Sequence, residues 1–241
     1  MSDDYFSKTH KNHVKRSFKR AHYDKETIYR ILDTAGFAHI AYVIDGDPYC
    51  TPTCYWREGD TLYWHGSSAS RMINNLRQGV AACVTVSHLD GFVLARSGFH
   101  HSVNYRSAMC FGTAKLIEDT EQKRNALNAM INRFFPDRSS ELRDAKEKEL
   151  KATSVIAMEI ESAAAKIRAE GVNDDEEDYD SHVWAGVIPL TTIIGDFIPY
   201  SHLDGNIKPA QTLSIWRAGA LLDKTLLTAQ QLHEKSALPA K

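Results

Sequence analysis

The chain has 241 residues, with 29 Lys+Arg against 31 Asp+Glu, 43% hydrophobic residues and 4 Cys. This hydrophobic share with balanced charge excludes a disordered chain and supplies a core for one large domain or two small ones. A net charge of -2 gives no global field for nucleic acid or an anionic membrane. No run approaches the ~18 consecutive apolar residues of a membrane span, and the polar start MSDDYFSKTHKNHVKR has no apolar signal core. The expectation is a cytoplasmic protein that binds neither nucleic acid nor membrane.

Residues 1–23 are basic and poor in large aliphatics; they read as an arm, either frayed or docked on the body or on a partner subunit. Asp24 can cap a helix whose Ile28, Ile31, Leu32 and Ala35 share one face, with Gly36 as its stop. Strands then dominate: Phe37–Ile44, Tyr49–Trp56 and Thr61–His65, separated by Asp45-Gly46-Asp47-Pro48 and Arg57-Glu58-Gly59-Asp60. Residues 66–78 predict a short helix closed by Gly79. Val80–Ser87, Phe92–Phe99 and Tyr105–Ile117 return to strand patterning, with His88-Leu89-Asp90-Gly91 as a turn, so six strands are expected within about 80 residues. Two helical stretches in 119–151 split at Phe135-Pro136, the second laced by i,i+4 pairs such as Arg143 with Glu147.

Val155–Ile160 and Ala163–Arg168 predict one long or bent strand. The acidic stretch 173–180 lacks the Gly and terminal Glu of a calcium loop and reads as solvated. One more strand-like or helical piece follows Trp184-Ala185-Gly186-Val187-Ile188-Pro189, and Thr212–Lys235 predicts a closing helix. The order implies a mainly β fold, a barrel with peripheral α-helices. The expected divisions are an arm at 1–23, a barrel domain at 24–200 and an extension at 201–241.

Cys50 and Cys54 lie roughly 13 Å apart on an extended segment, too far for a disulfide, and no CxxC pair suggests zinc; all four cysteines read as reduced thiols. The strongest chemical signal is His65-Gly66-Ser67-Ser68-Ala69-Ser70-Arg71, running from a strand end into a helix start. Two readings are open: hydroxyls, an Arg and helix N–H groups that hold a phosphate monoester, or a simple cap with Arg71 in solvent. Phe99-His100-His101-Ser102-Val103-Asn104-Tyr105-Arg106-Ser107 is the second polar cluster. Adjacent His side chains on an extended segment face opposite ways, so no metal is expected there. Arg106 and Ser107 either reach a ligand at the barrel rim or make rim hydrogen bonds.

The run TLYWHGSSASRMINNLRQGVAACVTVSHLDGFVLARSGFHHSVNYRSAMCFGTAKLIED resembles the pyridoxamine 5'-phosphate oxidase-like family of FMN-binding split barrels. Its branch is similar to the flavin-nucleotide-binding proteins related to nitroimidazole-resistance reductases, over roughly residues 15–200. The resemblance implies a six-stranded Greek-key split β-barrel, a homodimer and FMN at the subunit interface. It places Trp64, His65, Ser67, Ser70 and Arg71 at the ribityl chain and phosphate. It sets Pro52, Thr53, Cys54 and Tyr55 beside the flavin ring, and Trp184 near the cofactor of the other subunit. The family's Arg after that Trp is missing, which argues against oxidation of pyridoxamine phosphate itself. What remains implied is an FMN-dependent oxidoreductase acting on a small molecule, including nitro-compound reduction, with His65 as the catalytic candidate. The competing reading is a non-catalytic cofactor-binding barrel that holds haem through a His such as His65, His100 or His101.

Overall fold

A computed structural model describes residues 4–77 and 79–237 of the chain. Helix α1 (Lys25–Asp33) starts where predicted, because the Asp24 carboxylate accepts from the Thr27 N–H at 2.8 Å. Its buried Ile28, Ile31 and Leu32 pack on the sheet that follows. Six antiparallel strands, β2 (Phe37–Ile44), β3 (Asp47–Glu58), β4 (Thr61–Ser67), β7 (Thr153–Glu159), β6 (Ser102–Leu116) and β5 (Val80–Leu94), pair in that order, and β5 returns to β2 to close the ring. The fold is the expected split barrel with peripheral helices. Alternation sends Ile40, Trp64, Val84, Cys110 and Ile156 inward as one buried core.

Three strands extend the ring. β8 (Ser162–Arg168) pairs with the distal half of β6 and carries β1 (Ala21–His22) on its edge, while β9 (Gly186–Pro189) pairs with the distal half of β5. β7 and β8 both run along β6, so the bent strand expected from the sequence is present, broken at Ile160-Glu161. The register moves by one residue between Ala114↔Met158 and Phe111↔Ser162. At the break Gly112 passes so close to the Glu159 carbonyl that a Cβ would stand 2.1 Å from its oxygen.

Helix α3 (Thr120–Phe134) covers the outer side of β3, β4 and β7, where Trp56, Ala126 and Val155 form a second buried cluster. Helix α5 (Leu222–Ala237) packs on α3 and α1. The remaining helices, α2 (Arg71–Leu76) and α4 (Glu147–Ala152), are single turns or little more.

Several expectations need correction. His88-Leu89-Asp90-Gly91 is no turn: β5 runs through it, and the extra residue Asp90 is absorbed as a bulge between Leu89↔Tyr105 and Gly91↔Asn104. The reversal comes at Gly98–His100, so five strands, not six, lie between Phe37 and Leu116. Helix within 139–151 shrinks to α4, because Arg143 forks to Glu149 at 2.9 and 2.6 Å from a loop rather than pairing with Glu147 along a helix. The closing helix begins at Leu222; residues before it form a short 3-10 turn at Gln211–Leu213 and a bend at Gly219.

The acidic stretch is not simply solvated. Asp174 accepts from Arg96 N at 2.9 Å and Nη1 at 2.7 Å, with its side chain only 1% exposed. Residues 4–23 dock on the barrel: Phe6 is buried, and the Asn12 amide donates to the Ala163 carbonyl of β8 at 2.9 Å. All four cysteines are free thiols, and no helix among the described residues is long and apolar enough to cross a membrane.

Candidate functional site

β4 ends at Ser67 and α2 starts at Arg71, so the serine-rich turn leaves the barrel where the sequence places it. Its backbone is tied down: Ser68 N–H donates to the Ala152 carbonyl at 2.9 Å and Ser70 N–H to the Ser67 carbonyl at 2.8 Å. Ser67 Oγ accepts from Ala69 N–H at 3.2 Å, while Ser70, the N-cap by position, makes no side-chain cap bond. Arg71 is exposed, and its guanidinium lies over the Tyr49 ring, 4.5 Å from the centroid. Tyr49 in turn stacks on Tyr42 across the β2–β3 pair at 5.7 Å.

Strand parity sorts the other candidates. The pair Tyr55↔Trp64 faces inward, and both side chains are buried core. The Tyr55 hydroxyl donates to the Leu32 carbonyl, and burial holds this phenol well above its usual pKa. Cys54, Trp56, Tyr63 and His65 have the opposite parity and face outward. His65 lies 6.4 Å from the Trp56 ring, and both its Nδ1 and Trp56 Nε1 are buried without a hydrogen-bond partner among the described residues. Burial pushes the imidazole pKa below its ordinary value, so the ring is neutral at pH 7 and keeps a lone pair. Burial also raises the Cys54 thiol. Pro52 is exposed, and Thr53 Oγ1 donates to the Cys54 carbonyl at 3.3 Å.

The remaining candidates stand beyond the ring, on the distal β5–β6 hairpin and its neighbours. Arg106 grips the bulge residue Asp90 through Nε at 2.9 Å and Nη2 at 2.7 Å, with Asp223 of α5 3.6 Å away. These groups line a polar cavity of about 420 Å³ shared with His88 and Thr34. Ser107 Oγ donates to the Lys166 carbonyl at 3.3 Å. Trp184 is exposed, its indole lying flush with Gly186, where a Cβ would stand 2.7 Å from the ring. His100 meets Asp175 at 3.0 Å and His101 Nδ1 meets the Ser97 carbonyl at 2.9 Å, so the two rings serve separate loop contacts.

The structure thus brings Arg71 of α2 onto Tyr49 of β3, sets His65 of β4 beside Trp56 on the outward face of β3 and β4, and leaves Arg106, Ser107 and Trp184 apart within the same chain. Tyr49 and Trp56 are the ring partners of Arg71 and His65 although the sequence does not single them out. Their signal was parity: Tyr49 follows from its cross-strand partner Tyr42, and Trp56 from sharing a face with His65.

The family model described as pyridoxamine 5'-phosphate oxidase matches residues 24–167. The solved structure of the flavocytochrome Anf3 from Azotobacter vinelandii is 39% identical with a TM-score of 0.81, covering 88% of this chain and 98% of that one. The FAD and haem binding protein from Mycobacterium smegmatis is 36% identical with a TM-score of 0.79, covering 84% of this chain and 98% of that one. A Bacteroides thetaiotaomicron protein to which 5-nitroimidazole antibiotic resistance is ascribed is 26% identical, with a TM-score of 0.52, over 61% of this chain and 86% of that one. No curated protein sequence matches. With a family match over more than half its length and two near-full-length relatives above 30% identity, the chain belongs to the pyridoxamine 5'-phosphate oxidase-like family.

Proposed function

We propose that the chain is a flavin-dependent oxidoreductase that also binds haem, working as a homodimer with its cofactors against the β3–β4–α2 surface. The observation that carries the reading is the near-complete match to two relatives named for a flavin together with haem or cytochrome character. The expectation of FMN widens accordingly to a flavin nucleotide, since FMN and FAD share the ring, the ribityl chain and the first phosphate. When bound, the flavin supplies hydride or single-electron chemistry for a small acceptor, nitro compounds among the candidates.

The chain's own residues fit these groups. Arg71, stacked on Tyr49, offers a fixed cation to a phosphate, with the Ser67 and Ser70 hydroxyls beside it. The backbone of Pro52–Tyr55 would border the flavin ring, on a strand stiffened by the buried Tyr55 and Trp64. His65 is the haem-ligand candidate: its imidazole is neutral, and its Nδ1 and the neighbouring Trp56 Nε1 both lack hydrogen-bond partners among the described residues.

The dimer reading rests on the outer rows of the barrel. Phe37, His39, Ala41 and Val43 of β2, Cys50, Pro52 and Cys54 of β3, Cys83 and Thr85 of β5, and Met109 and Phe111 of β6 are adjacent in register without one charged side chain. Phe37, Val43 and Met109 are exposed on it. A second copy covers such a face with little desolvation of charge.

An absorption spectrum of the isolated protein tests the reading. Twin flavin bands and a Soret band are expected, with acid extraction and mass measurement separating FMN from FAD. A protein that takes up neither flavin after incubation with both rejects it; sedimentation at micromolar concentration tests the dimer, and anaerobic reduction followed by a nitroarene tests turnover.

A further inference from the structure

We infer that the polar cavity on the distal β5–β6 hairpin, walled by His88, Asp90, Arg106 and Asp223, binds a small primary amine in its ammonium form that also carries hydroxyls, an amino alcohol or amino sugar. The cavity holds about 420 Å³, within the range of small-ligand sites, and β3, β4 and α2 contribute nothing to its lining. The inference therefore stands apart from the flavin reading. Two of the segments that close the cavity, 190–192 and 221–223, lie outside residues 24–167, so family membership does not assign it.

The bulge in β5 builds one wall. Its extra residue, Asp90, turns a carboxylate onto Arg106 of the partner strand and occupies Nε at 2.9 Å and Nη2 at 2.7 Å. Arg106 Nη1 is left without a hydrogen-bond partner among the described residues. The entry to α5 builds the opposite wall: Leu190 N–H donates to the Asp90 carbonyl at 2.9 Å and Leu222 N–H to the Thr192 carbonyl at 3.0 Å, fixing segment 190–192 between bulge and helix. Asp223 follows, its Oδ1 accepting from Lys224 N–H at 2.8 Å and its Oδ2 3.6 Å from Arg106 Nη2, beyond hydrogen-bonding distance.

Charge then selects the ligand. The lining carries two carboxylates and one guanidinium, and Asp90 alone already matches that guanidinium. Asp223 is the surplus anion. His88 adds no positive charge at pH 7: its Nε2 meets the Ile31 carbonyl at 3.2 Å and so carries the proton, while burial pushes the imidazole pKa below its ordinary value. Its Nδ1 keeps a lone pair with no partner among the described residues. An ammonium group is received by Asp223 and this lone pair, while Arg106 Nη1 and the hydroxyls of Thr191 and Thr192 serve the oxygens of the ligand. An anion is opposed by the surplus carboxylate, and a neutral polyol leaves that carboxylate unmatched.

The test is a calorimetric titration of the purified full chain with ethanolamine, glucosamine and glucose. At least one of the two amines is expected to bind with a Kd of about 1 mM or tighter, and at least roughly tenfold more tightly than glucose. Asp223→Asn removes the surplus charge and keeps the side-chain shape; it should erase that preference while the far-ultraviolet circular dichroism spectrum stays native. Glucose differs from glucosamine at one position, a hydroxyl in place of the ammonium, so the ligand comparison decides the matter even where the variant fails to fold. Glucose binding as tightly as the amines, no binding of either amine at about 10 mM, or a preference that survives in folded Asp223→Asn overturns the inference. None of these outcomes touches the flavin reading, which the absorption spectrum tests separately.

Discussion

The Arg57 guanidinium of β3 forks onto the Asp33 carboxylate of α1, Nε to Oδ1 at 2.9 Å and Nη2 to Oδ2 at 2.6 Å, with both side chains buried. Around this pair converge Glu234 of α5, 2.7 Å from Arg57 Nη2, and Arg133 of α3, which donates to the Asp33 carbonyl at 2.7 Å. Three helices are thus fastened to one strand through a single charge pair. Asp33→Ala leaves a buried guanidinium without its main partner and should cost about 3–5 kcal/mol in urea unfolding. A loss below about 1 kcal/mol would contradict that account of the cluster.

Gly112 is expected to tolerate no side chain. Even Ala would drive a methyl against the Glu159 carbonyl and Met158, at the point where β7 gives way to β8. Gly112→Ala should lower stability by about 1–3 kcal/mol or more, whereas Gly46→Ala, facing open space at a left-handed turn position, should cost about 1 kcal/mol. Thermal midpoints of the two variants rank these effects, and equal midpoints would sink the argument.

His65 should show an acid-side titration. Its folded pKa lies below the ordinary 6.5 because burial disfavours the imidazolium. The unfolded chain therefore binds the proton more readily, and the associated stability, full above about pH 6.5, declines as pH falls toward the folded value. NMR of the imidazole should place the midpoint below 6.5, and His65→Gln should flatten the stability profile in this window. A midpoint at or above 6.5 would refute the burial argument.

Arg71→Ala should weaken flavin binding by roughly one to two orders of magnitude through loss of a charge-assisted phosphate contact. Because Arg71 is exposed, the thermal midpoint of the flavin-free variant should stay within about 2 °C of the native one. His65→Ala, by contrast, should lose the Soret band and retain the flavin bands. A variant that loses both signals together would deny the two residues separate tasks.

The barrel was legible because alternation is a local signal: Phe37–Ile44 matches β2 residue for residue, and Asp24 caps α1 as its sequence context demands. The bulge at Asp90 was not, since Asp-Gly favours a turn and only the partner strand β6 shows that the chain continues. The basic arm was ambiguous for a similar reason: Asn12 finds its acceptor on Ala163, 151 positions away. At the site, the serine-rich turn could be placed from sequence, while the orphaned nitrogens of His65 and Trp56 depend on which face of β3 and β4 is covered by α3.

The β5–β6 hairpin has a mechanical consequence. Each strand is 15 residues long, but β5 meets β2 only through Ala82–Thr85, and β6 meets β7 only through Ala114–Leu116. The outer reach is a cantilever braced by β8 on one side and the four-residue β9 on the other. Native-state hydrogen exchange should therefore grade along a single hairpin, slowest at its root and fastest toward Ser102, with the Arg106–Asp90 fork as a rivet between the two regimes.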